Sequence, residues 1–212
     1  MDPEAFTESI REECATELER LGSEKALVAA TDAQLDRERV LAAAAAAETR
    51  AAETFERWAD DEGDDGAREA FERVAATERE HAERVRDRMD EGGSADAADP
   101  DALHDYLRGL DGTAGRIAAG LIARPMVASR SLLQTVNFFV NESEESTADL
   151  FRDLRTETED LIEEGGDLLT ERCEGEDDRD RAREAAVEAI ERAYEEYADS
   201  LEGMGIDPKP VC

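Results

Sequence analysis

Lysine is almost missing from this 212-residue chain: Lys25 and Lys209 are the only two, so 23 of its 25 basic residues are arginines. Cysteine is nearly as scarce. Cys14, Cys173 and Cys212 are odd in number and far apart, which excludes the close pairs of a zinc or dithiol motif. No run of eighteen apolar residues exists, so no segment reads as a membrane span. The opening Met1-Asp2-Pro3-Glu4-Ala5-Phe6 has neither a basic start nor an apolar stretch. No secretory signal is expected, and the chain reads as a reduced, cytoplasmic protein. Positive charge is nowhere clustered, which removes the phosphate-binding patch that a nucleic-acid partner requires.

What is abundant is acid. Fifty-seven Asp and Glu give a net charge of −32 and a pI near 4.2. With scarce lysine and plentiful alanine, this looks like the composition of proteins from extreme halophiles. At molar salt the Debye length shrinks to about 3 Å, so repulsion that would strain the fold in dilute buffer is screened. Most acidic runs in such a chain are a solvated surface. A functional carboxylate must therefore be found by its position on an apolar stripe.

Two stripes carry such interruptions. Leu41, Ala44, Glu48, Ala51 and Phe55 are spaced three or four apart, as are Ala67, Phe71, Val74, Glu78, His81 and Val85. Each set forms one face of a helix. The run Asp60-Asp61-Glu62-Gly63-Asp64-Asp65-Gly66 between them reads as a turn with acidic caps. At about 1.5 Å per residue, Glu48 lies roughly 22 Å before the turn, Glu78 roughly 20 Å after it and His81 roughly 24 Å after it. An antiparallel hairpin puts all three at one level. Burying carboxylates costs several kcal/mol unless a cation, a proton or donors compensate. A metal ion is the economical compensation, and oxygen with imidazole nitrogen suits iron, manganese or zinc.

Glu48-x-x-Ala51-x-x-x-Phe55 and Glu78-x-x-His81 resemble the first- and second-helix motifs of the ferritin-like superfamily, and of rubrerythrin within it, with Phe55 in place of the usual tyrosine. The resemblance covers about residues 40 to 90. It implies an all-α, ferritin-like four-helix bundle with additional N-terminal, connecting and C-terminal helices. It also implies a metal centre for peroxide reduction, iron oxidation or oxygen chemistry. A complete di-iron centre takes a Glu from each of two helices and Glu-x-x-His from each of the other two. Aligning the two halves puts Thr158 opposite Glu78, Leu161 opposite His81 and Ala128 level with Glu48, so the second half lacks its ligands.

The whole of 1–212 is expected to form a single domain. Its parts are N-terminal docking helices (1–34), a first hairpin (36–90), a short connecting helix (99–110), a second hairpin (113–166), a C-terminal helix (176–202) and an irregular tail (203–212). Residues 3–21 read as one helix ended by Gly22, and Thr31-Asp32 or Asp36 as the cap of the first long helix. The alanines after Leu41 read as a tight packing seam. Asp99-Pro100-Asp101 reads as a cap and first turn, Pro125 as a bend, Ser143 or Ser146 as a cap, and Gly165-Gly166 as a stop. Trp58 reads as core, and His104 as a residue with no ligand spacing around it. Gln134 and Asn137 either enter the interior as hydrogen-bond partners of Glu48 or Glu78 or form a helix flank facing another helix or water. Glu157 and Glu159 point off the Thr158 stripe and read as solvated.

Three readings stay open. In the first, Glu48, Glu78 and His81 bind one iron or manganese ion for oxidase or peroxidase chemistry, with Gln134 or water completing the shell. An external electron donor would be needed, because the chain has no cysteine cluster. In the second, a homodimer brings two such sets together as a symmetric centre. In the third, the residues form a buried ion pair or shared proton, and the protein is a metal-free scaffold or interaction module.

Overall fold

The computed structural model describes residues 2–90, 101–173 and 175–209. They form an all-α architecture, with no strand among the described residues. Short helices α1 (Pro3–Glu13), α2 (Ala15–Leu21) and α3 (Lys25–Ala30) lead into the long α4 (Arg37–Asp61) and α5 (Asp65–Arg86). After α6 (Ala102–Arg108), α7 (Thr113–Ile117) runs through a π-helical segment (Ala118–Ala123) into α8 (Arg124–Asn141). The long α9 (Glu145–Arg172) and α10 (Glu176–Gly203) complete the order. No described helix is long and apolar enough to cross a membrane.

Local chemistry sets most of these boundaries. Asp2, Asp36, Asp64 and Asp101 each accept a hydrogen bond from a first-turn N–H of the helix they precede, satisfying donors that have no intrahelical partner. Asp99 and Pro100, expected to open α6, lie outside the described residues; the observed cap is Asp101. The expected helix over 3–21 breaks at Cys14, whose φ of −98° and ψ of 22° leave the helical region. Ser143 sits in the left-handed region at φ 62°, and α9 starts beyond it with Glu144 as its cap residue.

The second hairpin departs from expectation at two places. The disturbance attached to Pro125 is not a break: the π-helical segment ends just before it, so the looser turn absorbs the missing proline N–H and the helix continues. Gly165 and Gly166 do not stop α9, which runs on to Arg172. Their smallness serves packing instead. A Cβ on Gly165 would lie 2.7 Å from Leu121 Cβ and 2.8 Å from the Leu121 carbonyl, and one on Gly166 would meet Pro3.

Antiparallel α4 and α5 pack along their length, as do α8 and α9, while α10 lies across α7, the π-helical segment and α6. Helix α1 docks on α9 and α2 on α8 and α10. The apolar interior is in two parts. One holds Phe55, Trp58 and Phe71, with ring centroids 5.3–6.0 Å apart, together with Ile117, Leu121, Ile122, Met126, Val127 and the inner face of α10. The other holds Val40, Leu41, Val85, Phe139, Phe151 and Leu154. Between them along α4, α5 and α9 lie Glu48, Glu78, His81 and Thr158, all buried.

Gly165→Ala tests the close approach of α9 to the π-helical segment. The substitution gains up to about 1 kcal/mol of helix propensity, but overpacking costs about 1–3 kcal/mol. A lower urea midpoint is expected, whereas Gly203→Ala, whose Cβ meets nothing within 4 Å, should leave the midpoint unchanged or raise it.

Candidate metal centre

Position on the stripes brings Glu48 from α4 and Glu78 and His81 from α5 into one cluster. A carboxylate oxygen of each acid and a ring nitrogen of the histidine lie within 4.8 Å of one another. His81 Nδ1 is 3.7 Å from Glu78 Oε2 and 3.8 Å from Glu48 Oε2. The residues are 6, 0 and 1 % exposed in the order Glu48, Glu78, His81, so water does not solvate their charges. Glu78 Oε2 and His81 Nδ1 have no hydrogen-bond partner among the described residues.

The other atoms of the cluster are held. His81 Nε2 is 2.8 Å from Glu157 Oε2, and Glu157 also accepts from Arg84 at 3.0 Å. A carboxylate on Nε2 keeps the proton there, so the neutral ring presents its lone pair at Nδ1, toward the two acids. Glu78 Oε1 accepts from an Arg124 Nη, and that guanidinium lies 5.4 Å above the Phe55 ring. Arg124 is 4 % exposed and stands at the first position of α8, directly after the π-helical segment.

Arg124 is the residue that the motif reading passed over. Its sequence signal is a single charge inside the otherwise apolar run Ile117 to Val127, next to Pro125. Ala128, level with Glu48 by counting, lines a neighbouring cavity, and one turn earlier the arginine reaches Glu78. Glu157 is exposed as expected, with 42 % of its side chain in solvent, and its carboxylate in addition meets the buried imidazole. Glu159 pairs with Arg155 at 2.6 Å.

The amides expected behind the centre are elsewhere. Gln134 donates to the Gly22 carbonyl at 2.7 Å, fastening α8 to the end of α2, and Asn137 is exposed. The register of α8 turns both away from α4 and α5. Thr158 is buried as expected, its hydroxyl donating to the Leu154 carbonyl of its own helix. Arg124 of α8 and Glu157 of α9 flank the cluster on the side of the second pair of long helices. Cys14 is buried and Cys173 half-buried, both as free thiols, while Cys212 lies outside the described residues.

Electrostatics follow from burial. Burial pushes the Glu78 carboxyl well above the carboxylate range against the pull of Arg124, and the neighbouring Glu48 charge pushes the same way. Burial also acts to raise Glu48, but the nearby Glu78 carboxyl and His81 ring, with the positive charge of Arg124, outweigh it and hold Glu48 low. The two acids thus keep one proton between them at neutral pH. Burial opposes charge on His81, yet Glu48, Glu78 and Glu157 together raise it to about 9.

These residues fit a divalent ion. Three donor atoms converge, two of them lack any other partner, and separations of 3.7 to 3.8 Å are ones that ligands about 2.1 Å from a common ion also have. Glu157 on the far ring nitrogen supplies the orienting carboxylate that metal-bound histidines usually have.

Protonation should show in the stability of chelated protein. His81 and Glu78 both bind protons more tightly when folded, so their contributions are present at low pH and lost as pH rises. The melting temperature in chelator should fall from about pH 4.5, where Glu78 begins to contribute, to about 9, and His81→Gln should flatten the part of that fall above about pH 6.5. Removing one partner of a buried pair costs about 3–5 kcal/mol, so Arg124→Met should destabilise strongly. Glu78→Gln should recover much of that loss in a double-mutant cycle read by urea unfolding. Compared with known proteins, the chain matches no family model, no curated protein and no solved structure.

Proposed function

We propose that this is a ferritin-like, rubrerythrin-like bundle protein whose first hairpin holds one divalent transition-metal ion, iron or manganese, through Glu48, Glu78 and His81. Two antiparallel pairs of long helices support the bundle reading, with the donors midway along the first pair. The observation that carries the metal reading is the pair of unpartnered buried atoms, Glu78 Oε2 and His81 Nδ1, facing each other beside Glu48. Two hard oxygens and one imidazole favour iron or manganese over the thiolate-loving metals.

Charge accounting supports the same reading. Without an ion, the two acids share a proton, His81 and Arg124 are cationic and Glu157 is anionic, which sums to zero. A divalent ion would replace the shared proton and the imidazolium proton with no change in that sum. Arg124 stands where a second metal's ligands would enter, so the centre is mononuclear. When bound, the ion would supply one-electron redox chemistry of the oxidase or peroxidase type. The chain's own part is to orient the histidine through Glu157 and to hold Glu78 through Arg124, with Phe55 and Trp58 as buried aromatic packing nearby. Electrons would come from an external donor.

The second reading, a metal-free scaffold stabilised by the proton-sharing cluster, is favoured by Arg124, which already supplies Glu78 with a cation. One titration separates the two. Protein in chelator-free, high-salt buffer is titrated with Mn(II) or anaerobic Fe(II), with calorimetry and a pH indicator. The metal reading expects one ion per chain, about two protons released near pH 7, and affinity reduced at least 100-fold in both Glu78→Ala and His81→Ala. Absence of saturable binding, with variants that change only stability, selects the scaffold.

A further inference from the structure

The alanine run of α4 forms a packed seam only in part: Ala45 is buried in the core, and the neighbouring face is open. Ala43 and Ala47 line one wall of a cavity of ≈670 Å³, and Leu27 of α3 with Val127 and Leu132 of α8 line others. That is ample volume for a small organic molecule. One end is polar, and there two buried side chains carry unused hydrogen-bonding capacity.

His104 of α6 is 5 % exposed and lines the cavity. Its Nδ1 lies 2.6 Å from Asp101 Oδ1, and the other oxygen of Asp101 lies 2.8 Å from Arg50 Nε. The carboxylate fixes the ring proton on Nδ1, which leaves Nε2 as a bare lone pair, and Nε2 has no partner among the described residues. Burial, the first cause, lowers the His104 pKa, and nearby Arg124 and Arg50 act the same way against Asp101. The ring is therefore a neutral acceptor. Arg124 also lines the cavity; it donates to Glu78 through one Nη, while its Nε–H has no partner among the described residues.

This polar end offers the His104 acceptor and the Arg124 Nε–H donor, beside Arg50 Nε, which faces Asp101 at 2.8 Å without a formed hydrogen bond, and its arginines are already matched in charge: Arg50 against Asp101, Arg124 against Glu78. A carboxylate ligand would set an oxygen against the His104 lone pair and add negative charge near Glu48 and Glu196. An ammonium would approach Arg124. A hydroxyl fits both groups, because it donates through its hydrogen and accepts through its oxygen. We propose that the cavity binds a neutral apolar molecule bearing a hydroxyl, an alcohol or phenol, with the hydroxyl at His104 Nε2 and Arg124 Nε and the carbon skeleton along the alanine wall. The inference does not depend on a metal ion at Glu48, Glu78 and His81.

The test is a fluorescence titration of the full chain in high-salt buffer containing chelator, with 1-naphthol, naphthalene and 1-naphthoate as probes. Saturable binding of 1-naphthol at one site per chain is expected, with naphthalene and 1-naphthoate each at least about tenfold weaker, the scale of one unsatisfied buried hydrogen-bonding group. His104→Phe should cut 1-naphthol affinity about tenfold and leave naphthalene unchanged. Ala43→Trp, which fills the cavity away from the polar end, should abolish binding of all three while circular dichroism stays that of the parent. Equal affinity for 1-naphthol and naphthalene, no saturable binding, or binding that survives Ala43→Trp overturns the proposal.

Discussion

Charge has to cancel inside the layer that separates the two apolar parts of the interior. Glu48, Glu78, His81 and Arg124 are each at most 6 % exposed, and a lone charge at any of them would cost several kcal/mol. The helices around them are placed so that every charge meets its opposite. Arg124 enters from α8, Glu157 from α9, and the acids and imidazole from the first hairpin. Cancellation therefore joins the two hairpins more specifically than apolar packing does, since apolar faces tolerate sliding and a guanidinium on a carboxylate does not.

The π-helical segment belongs to that arrangement. It delivers Arg124 toward Glu78 while its own Gly120 gives Trp58 room, since a Cβ there would run into the indole ring. The same segment meets Gly165 of α9 and the inner face of α10. Local irregularity, backbone crowding and the buried arginine are one feature seen from three sides. An ideal α-helix through Ala118–Ala123 would rotate Arg124 away from its partner.

The sequence made the first hairpin readable because two polar residue types broke a regular apolar stripe at matching distances from a turn. Glu48, Glu78 and His81 could be found that way, and so could the buried Thr158. Arg124 could not be found by looking for ligands, since its signal is a cation where a cation does not belong. Glycines were ambiguous for a physical reason: Gly165 and Gly166 resemble a helix stop locally, and only the neighbouring Leu121 and Pro3 reveal that small size was the requirement. The alanine run was ambiguous in the same way, because small side chains permit either close approach or an open cleft. Gln134 shows the limit of counting three and four along a helix: its stripe faced α2, and its amide went to Gly22.

Glu157 gives the buried centre a connection that depth alone would deny it. Its carboxylate touches the hidden imidazole with one oxygen and accepts from Arg84 with both, while 42 % of the side chain remains in water. The Nε2 proton of the buried ring is thus held by a residue that stands half in solvent. The tautomer of a histidine at the centre of the molecule is therefore set from its rim, and losing that one surface carboxylate would free the ring to turn without touching any buried residue.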